Sequence, residues 1–160
     1  MEFVERIKAK AAQDIKTIVL PEAAEERNIK AANQILKEGF AKLVLIGDPD
    51  KIHHLASEYY LDQIDKAVIV DPLNNPKKEE YVELMLKLRA SKGLTREQAE
   101  KLIVDPLYLG ALMVKNGDVD GEVAGANNAT GDVLRPAFQY VKTMPGISVV
   151  SGAFIMIIPD

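Results

Sequence analysis

Asp132 and Arg135 stand three residues apart at the exit of a glycine-rich segment, GDVDGEVAGANNATGDVLRPAFQYVKT, residues 117 to 143. A guanidinium grips phosphate through two parallel hydrogen bonds. Strand-to-loop-to-helix junctions hold anions, because backbone N–H groups at a helix start point at the ligand. An Asp and an Arg added to such a junction predict a site for something phosphorylated. Two plainer readings stand beside that one. The segment is also consistent with a simple βα turn with Thr130 as N-cap. Asp132 and Arg135 are equally a surface ion pair worth about 0.2–0.5 kcal/mol. Arg135, placed in the first turn of the helix, opposes the helix dipole, which suggests that it serves something outside the helix.

Other chemically capable residues carry weaker signals. Arg89, in KLRASKGLTREQA, falls near a helix C-terminus, where a cation suits the dipole for structural reasons alone. His53 and His54 are the only histidines, and adjacent positions on a polar helix point in different directions. They fit no metal motif. Glu25-Glu26 and Glu79-Glu80 read as solvated helix faces rather than acid–base pairs. Glycines 117, 121, 125 and 131 make neither G-x-G-x-x-G nor a P-loop. No nucleophile elbow appears. The absence of cysteine excludes disulfides, thiolate catalysis and Cys-type zinc sites within these residues. No metal ligand set and no tightly bound cofactor is expected.

The elements that must position these residues alternate. Helix patterns cover 2–13, 22–38, 49–57, 76–91, 95–104 and 106–116. Strand patterns cover 17–20, 42–46, 67–70 and 121–124, and a helix follows over about 131–142, with Pro136 near its first turns. Thr95 with Gln98 predicts a capping box, and Asp105-Pro106 another helix start. Short, almost wholly apolar strands between helices imply α/β architecture, a doubly wound and mostly parallel sheet buried on both faces. Two further strands are expected at 147–150 and 154–158, closed by Pro159-Asp160. An apolar strand pair there suggests a chain cut inside a larger protein; a terminal edge hairpin is the alternative.

The chain has 160 residues, room for one domain that buries a sizeable core. With 48% hydrophobic and 28% charged residues it has a globular balance. A net charge of −4 argues against general nucleic-acid binding. The opening MEFVERIKAK lacks the apolar core of a signal peptide, and no apolar run approaches a membrane span. A soluble, cytoplasmic protein is expected.

Four segments in order resemble the phosphate acetyltransferase (phosphotransacetylase) family, which includes the phosphate butyryltransferases. They are TIVLPEAAEERNIKAA, LRASKGLTREQA, GANNATGDVLRPAFQYVKTMPG and VSGAFIMIIPD. The third carries the Gly-Ala loop, Thr-x-Asp, Arg-Pro-Ala and Lys-Thr-x-Pro-Gly. The resemblance implies a two-domain α/β fold similar to isocitrate and isopropylmalate dehydrogenases. Residues 1–145 would be the first domain and 146–160 the start of the second, truncated. It implies reversible acetyl transfer between CoA and inorganic phosphate in a cleft between domains. CoA would be a substrate and the full-length protein usually a homodimer. Arg89 and Arg135 fall on arginines implicated in binding CoA or the phosphoryl group. Thr130 and Asp132 match positions beside the cleft. Where many members carry a Ser or Thr, preceded often by His, this chain has Ala129 and Asn128. A hydroxyl contact to phosphate from 129 is therefore not expected, while the Asn128 amide can still donate. The family's serine and aspartate base have no counterpart here and are expected beyond Asp160. The same module, fused to some malic enzymes, senses acyl-CoA without transferring it, and a butyryl preference is a further alternative.

Overall fold

The computed structural model describes residues 3–158. Four strands, β1 (Thr17–Leu20), β2 (Lys42–Ile46), β3 (Val68–Val70) and β4 (Gly121–Glu122), form one sheet in the order β3-β2-β1-β4. Every pairing is parallel, with Val19 opposite Val44 on one side and Glu122 on the other. The chain winds outward from β1 through β2 to β3, then returns to lay β4 on the opposite flank. The crevice between the ends of β1 and β4 is therefore the point where the winding reverses. Open α/β sheets bind ligands at such points.

Alternation along the strands divides the core. Val19, Val44 and Ile46 face a cluster with Met85, Ile103, Leu109 and Leu112. These come from α4 (Lys78–Arg89), the residue after α5 (Arg96–Leu102), and α6 (Pro106–Asn116). Leu20, Leu43 and Leu45 face Ile29, Ala32 and Leu36 of α2 (Glu26–Glu38) and Ile52 of α3 (Pro49–Glu58). Both faces are covered, as a doubly wound sheet requires. Helix α1 (Phe3–Ala11) precedes β1; its expected first residue, Glu2, lies outside the described residues.

Local signals set the helix ends. Thr95 and Gln98 close a capping box, with Gln98 accepting from the Thr95 N–H at 3.0 Å. Asp48 and Asp105 cap α3 and α6, each followed by proline in the first turn. Helices α2 and α6 end at Gly39 and Gly117.

Three expectations need correction. Helix α2 starts at Glu26, not 22, because Glu25 turns extended and caps it by accepting from the Asn28 N–H at 2.9 Å. The predicted 131–142 helix breaks in two: α7 (Thr130–Pro136), then a π-helical turn at Ala137–Val141. Pro136 ends α7 rather than sitting near its start, and its missing N–H removes a rung of the ladder just where the winding loosens. Residues 147–150 and 154–158 are not strands. They carry no ladder partner, and Phe154 is 97% exposed. Their period suits a strand, but a strand exists only with a neighbour, and none lies among the described residues. The expected closing Pro159-Asp160 falls outside them.

Candidate functional site

The glycine-rich loop after β4 is an anion hole, and the chain's own Glu22 fills it. Pro21 ends β1 and turns Glu22 across to β4. There Glu22 Oε2 accepts the N–H groups of Gly125 at 2.6 Å and Ala126 at 2.8 Å. Its Oε1 accepts those of Asn127 at 2.8 Å and Asn128 at 2.9 Å, and the Asn128 side-chain amide at 2.7 Å. Four consecutive backbone donors converging on one carboxylate form a nest. Gly125 makes the turn possible with φ of 106°, a left-handed conformation that other residues resist. Glu22 is 8% exposed, and burial alone would raise its pKa. The bonds from Asn127, Ala126, Asn128 and Gly125 outweigh burial and hold it below the usual carboxylate range.

A second clamp acts on the same loop. Arg27 donates from Nη2 to the Ala126 carbonyl and from Nε to Glu25 Oε1 at 2.6 Å. The loop is thus held through its donors by Glu22 and through an acceptor by Arg27. Neither residue was singled out for chemistry in the sequence. The only signal was an acid and a base just past β1, within Leu-Pro-Glu and the Arg that follows.

This latch floors a cleft of about 690 Å³ at the strand ends. Gly47 after β2 and Asp105 at the start of α6 contribute to its wall, and Lys51 and Lys101 line it as cations. Of the predicted residues, Asn128 lines this cleft, while Arg89, Thr130, Asp132 and Arg135 do not.

The loop leads into α7, where Thr130, Asp132 and Arg135 are exposed. Thr130 is the first helical residue, not the N-cap; Ala129 holds that place with no side-chain bond. Arg135 lies in the last turn of α7, so the dipole favours it there, contrary to its expected place in the first turn. Its Nη2 is 3.3 Å from Asp132 Oδ1, a weak exposed pair that leaves the guanidinium available. Arg89 ends α4 on a separate helix, half-buried, as its C-terminal reading predicts. His53 and His54 lie exposed on α3. Glu79 pairs with Arg96, and Glu80 accepts from Asn116.

Beside the latch stands a second carboxyl. Glu122 of β4 lines an otherwise apolar cavity of about 430 Å³ with Val114, Val133 and Val141. Burial, and then the charge of Glu22, push it up to about 7. Gly110 of α6 makes room for it: a Cβ there would come within 2.8 Å of Glu122 Oε1.

Among the described residues no helix is long and apolar enough to cross a membrane, and no group of three or more His, Cys, Asp or Glu could hold a metal.

The family model described as phosphate acetyl/butaryl transferase matches residues 2–160. A phosphate acetyltransferase of Clostridium acetobutylicum is 51% identical over 160 residues, 100% of this chain and 48% of the relative. One from Acetivibrio thermocellus is 49% identical and is covered to 47%. Among solved structures, the EutD phosphotransacetylase from Staphylococcus aureus superposes with a TM-score of 0.88 at 36% identity. That match covers 98% of this chain and 47% of the other. A phosphotransacetylase from Streptococcus pyogenes gives 0.87 at 31% identity, over 93% of this chain and 46% of the other. The chain spans about half the length of the curated relatives it matches.

Proposed function

This chain belongs to the phosphate acetyl/butaryl transferase family, and from that premise we propose that it supplies one wall of an acyl-transfer cleft. The reaction is acetyl-CoA plus phosphate to acetyl phosphate plus CoA, run reversibly. Acetyl rather than butyryl transfer is supported by relatives at 51% and 49% identity that carry the name phosphate acetyltransferase.

In one direction the CoA thiolate attacks the carbonyl of acetyl phosphate, the carbonyl carbon–oxygen bond to phosphate breaks, and phosphate leaves. A base takes the thiol proton. Arg135 and Arg89 neutralise and orient the departing phosphate or the phosphates of CoA. Thr130 and Asp132 border the same surface. Asn128 has one amide hydrogen on Glu22, and its second remains for a ligand. CoA acts as substrate and not as a resident cofactor, and the reading includes a cytoplasmic homodimer.

The observation that carries this reading is the latched loop. Glu22 fixes residues 125–128, so α7 starts at a set place and presents Arg135 outward with only a weak partner. Electrostatic stabilisation works best from such a preorganised frame. In a protein of the relatives' length carrying this chain, Arg135→Ala lowers kcat/KM for acetyl phosphate formation at least about 100-fold. Unchanged turnover in that variant would remove Arg135 from the site.

A further inference from the structure

Tyr140 is 0% exposed, yet its hydroxyl is the one buried side-chain oxygen or nitrogen among the described residues with no hydrogen-bond partner. A buried phenol without a partner is costly and calls for an explanation. The π-helical turn at Ala137–Val141 carries the residue inward, and such turns recur at functional sites. Its ring stands edge-on to Tyr108, with centroids 6.0 Å apart at 70°. Both tyrosines share a core cluster with Met85. Arg89 lies one helical turn beyond Met85, on the same face of α4. Among the described residues, the Arg89 guanidinium makes no hydrogen bond and no ion pair. Burial raises the Tyr140 phenol, and the Arg89 charge opposes that rise. A buried hydroxyl without a partner thus packs in one cluster with the helix face that ends in an unpaired guanidinium.

We propose that Tyr140 is a positioning residue for Arg89: a rotation of the arginine side chain brings its guanidinium onto the buried phenol oxygen, which then fixes the direction of the remaining N–H groups. The phenol takes one of five donors and leaves a fork for an anion. The ligand role rests on the reading of Arg89 as a CoA or phosphate contact. The restraint itself does not.

Nitrogen-15 NMR of the chain tests the restraint. A guanidinium held by a buried acceptor rotates slowly and shows separate Nη signals; a free one averages them. Separate signals for Arg89 are expected in the wild type and averaged ones in Tyr140→Phe, with the variant still folding cooperatively at a Tm lowered by no more than the loss of one hydrogen bond allows. Averaged signals in the wild type, or separate ones in the variant, overturn the inference. Titration with CoA then separates it from the functional reading. Tyr140→Phe weakens CoA binding about tenfold, as loss of one hydrogen bond to a charged group does, and has no effect in an Arg89→Ala background. If Arg89→Ala weakens binding while Tyr140→Phe does not, the positioning role falls and the functional reading stands. If Arg89→Ala binds CoA like the wild type, the reading of Arg89 as a ligand falls instead.

Discussion

Glu22 and Asn128, 106 residues apart in the chain, are joined by two hydrogen bonds, at 2.9 Å from the Asn128 backbone and 2.7 Å from its side chain. They tie the end of β1 to the loop after β4 across the point where the sheet reverses its winding. The N–H groups that an anion would use in this loop are already turned onto a carboxylate of the chain itself. An outside anion therefore finds these donors taken, and the proposed phosphate or CoA contact from this stretch falls to Arg135 downstream.

Removing that carboxylate leaves a nest of donors with nothing to bind. Glu22→Ala costs about 2–4 kcal/mol, since several charge-assisted bonds go at once. Glu22→Gln keeps one acceptor and falls between. Hydrogen exchange reads the local effect: the Gly125 to Asn128 amides are protected in the wild type and exchange rapidly in Glu22→Ala. Protection retained in the variant would show that the loop holds itself.

Glu122 and Glu22 push pH dependence in opposite directions. Glu22 is held below its ordinary value, so its contribution is present above pH 4.5 and is lost as pH falls through its folded pKa. Glu122 is raised from 4.5 to about 7, so the folded state holds its proton more tightly than the unfolded one. Its contribution is complete below pH 4.5 and is lost as pH rises to 7. Glu122→Gln removes that decline and is more stable than the wild type at pH 8 by roughly 2 kcal/mol, allowing for solvent screening. Parallel Tm profiles of the two proteins from pH 4.5 to 8 would contradict the assignment.

Gly110 tests the same carboxyl from the other side. A Cβ at 110 displaces the Glu122 oxygen lying 2.8 Å from it. Alanine also gains about 1 kcal/mol of helix propensity. Gly110→Ala therefore raises Tm more at pH 8 than at pH 5, and carbon-13 NMR of Glu122 shows its pKa falling towards 4.5. An equal gain at both pH values would mean that Glu122 stays where it is.

Much of this arrangement was legible in the sequence because it is local. Thr95 with Gln98, Asp105-Pro106 and Gly39 fix helix ends within a few residues of themselves. The apolar strands and their alternation with helices gave the doubly wound sheet. The latch was not legible. Nothing near Glu22 shows that its partners lie at 125–128, and only the β1–β4 pairing brings them together. The turn assigned to Arg135 was misplaced because α7 starts one residue earlier and stops at Pro136, leaving a helix too short to have an interior. The segments 147–150 and 154–158 show the converse failure: a period is local, but a ladder partner is not.

Arg135→Ala separates function from stability. The side chain is 59% exposed and its pair with Asp132 is 3.3 Å long, so denaturant unfolding of the variant gives the wild-type stability to within about 0.5 kcal/mol. A larger loss would give Arg135 a structural role that its surroundings do not show.

The most direct test of the central claim, that this chain carries an anion-binding wall built around Arg135, is calorimetric titration of CoA into the wild-type chain and Arg135→Ala. Saturable binding is expected in the wild type and binding at least about tenfold weaker in the variant. Equal affinities in the two proteins, or no binding to the wild type, would contradict it.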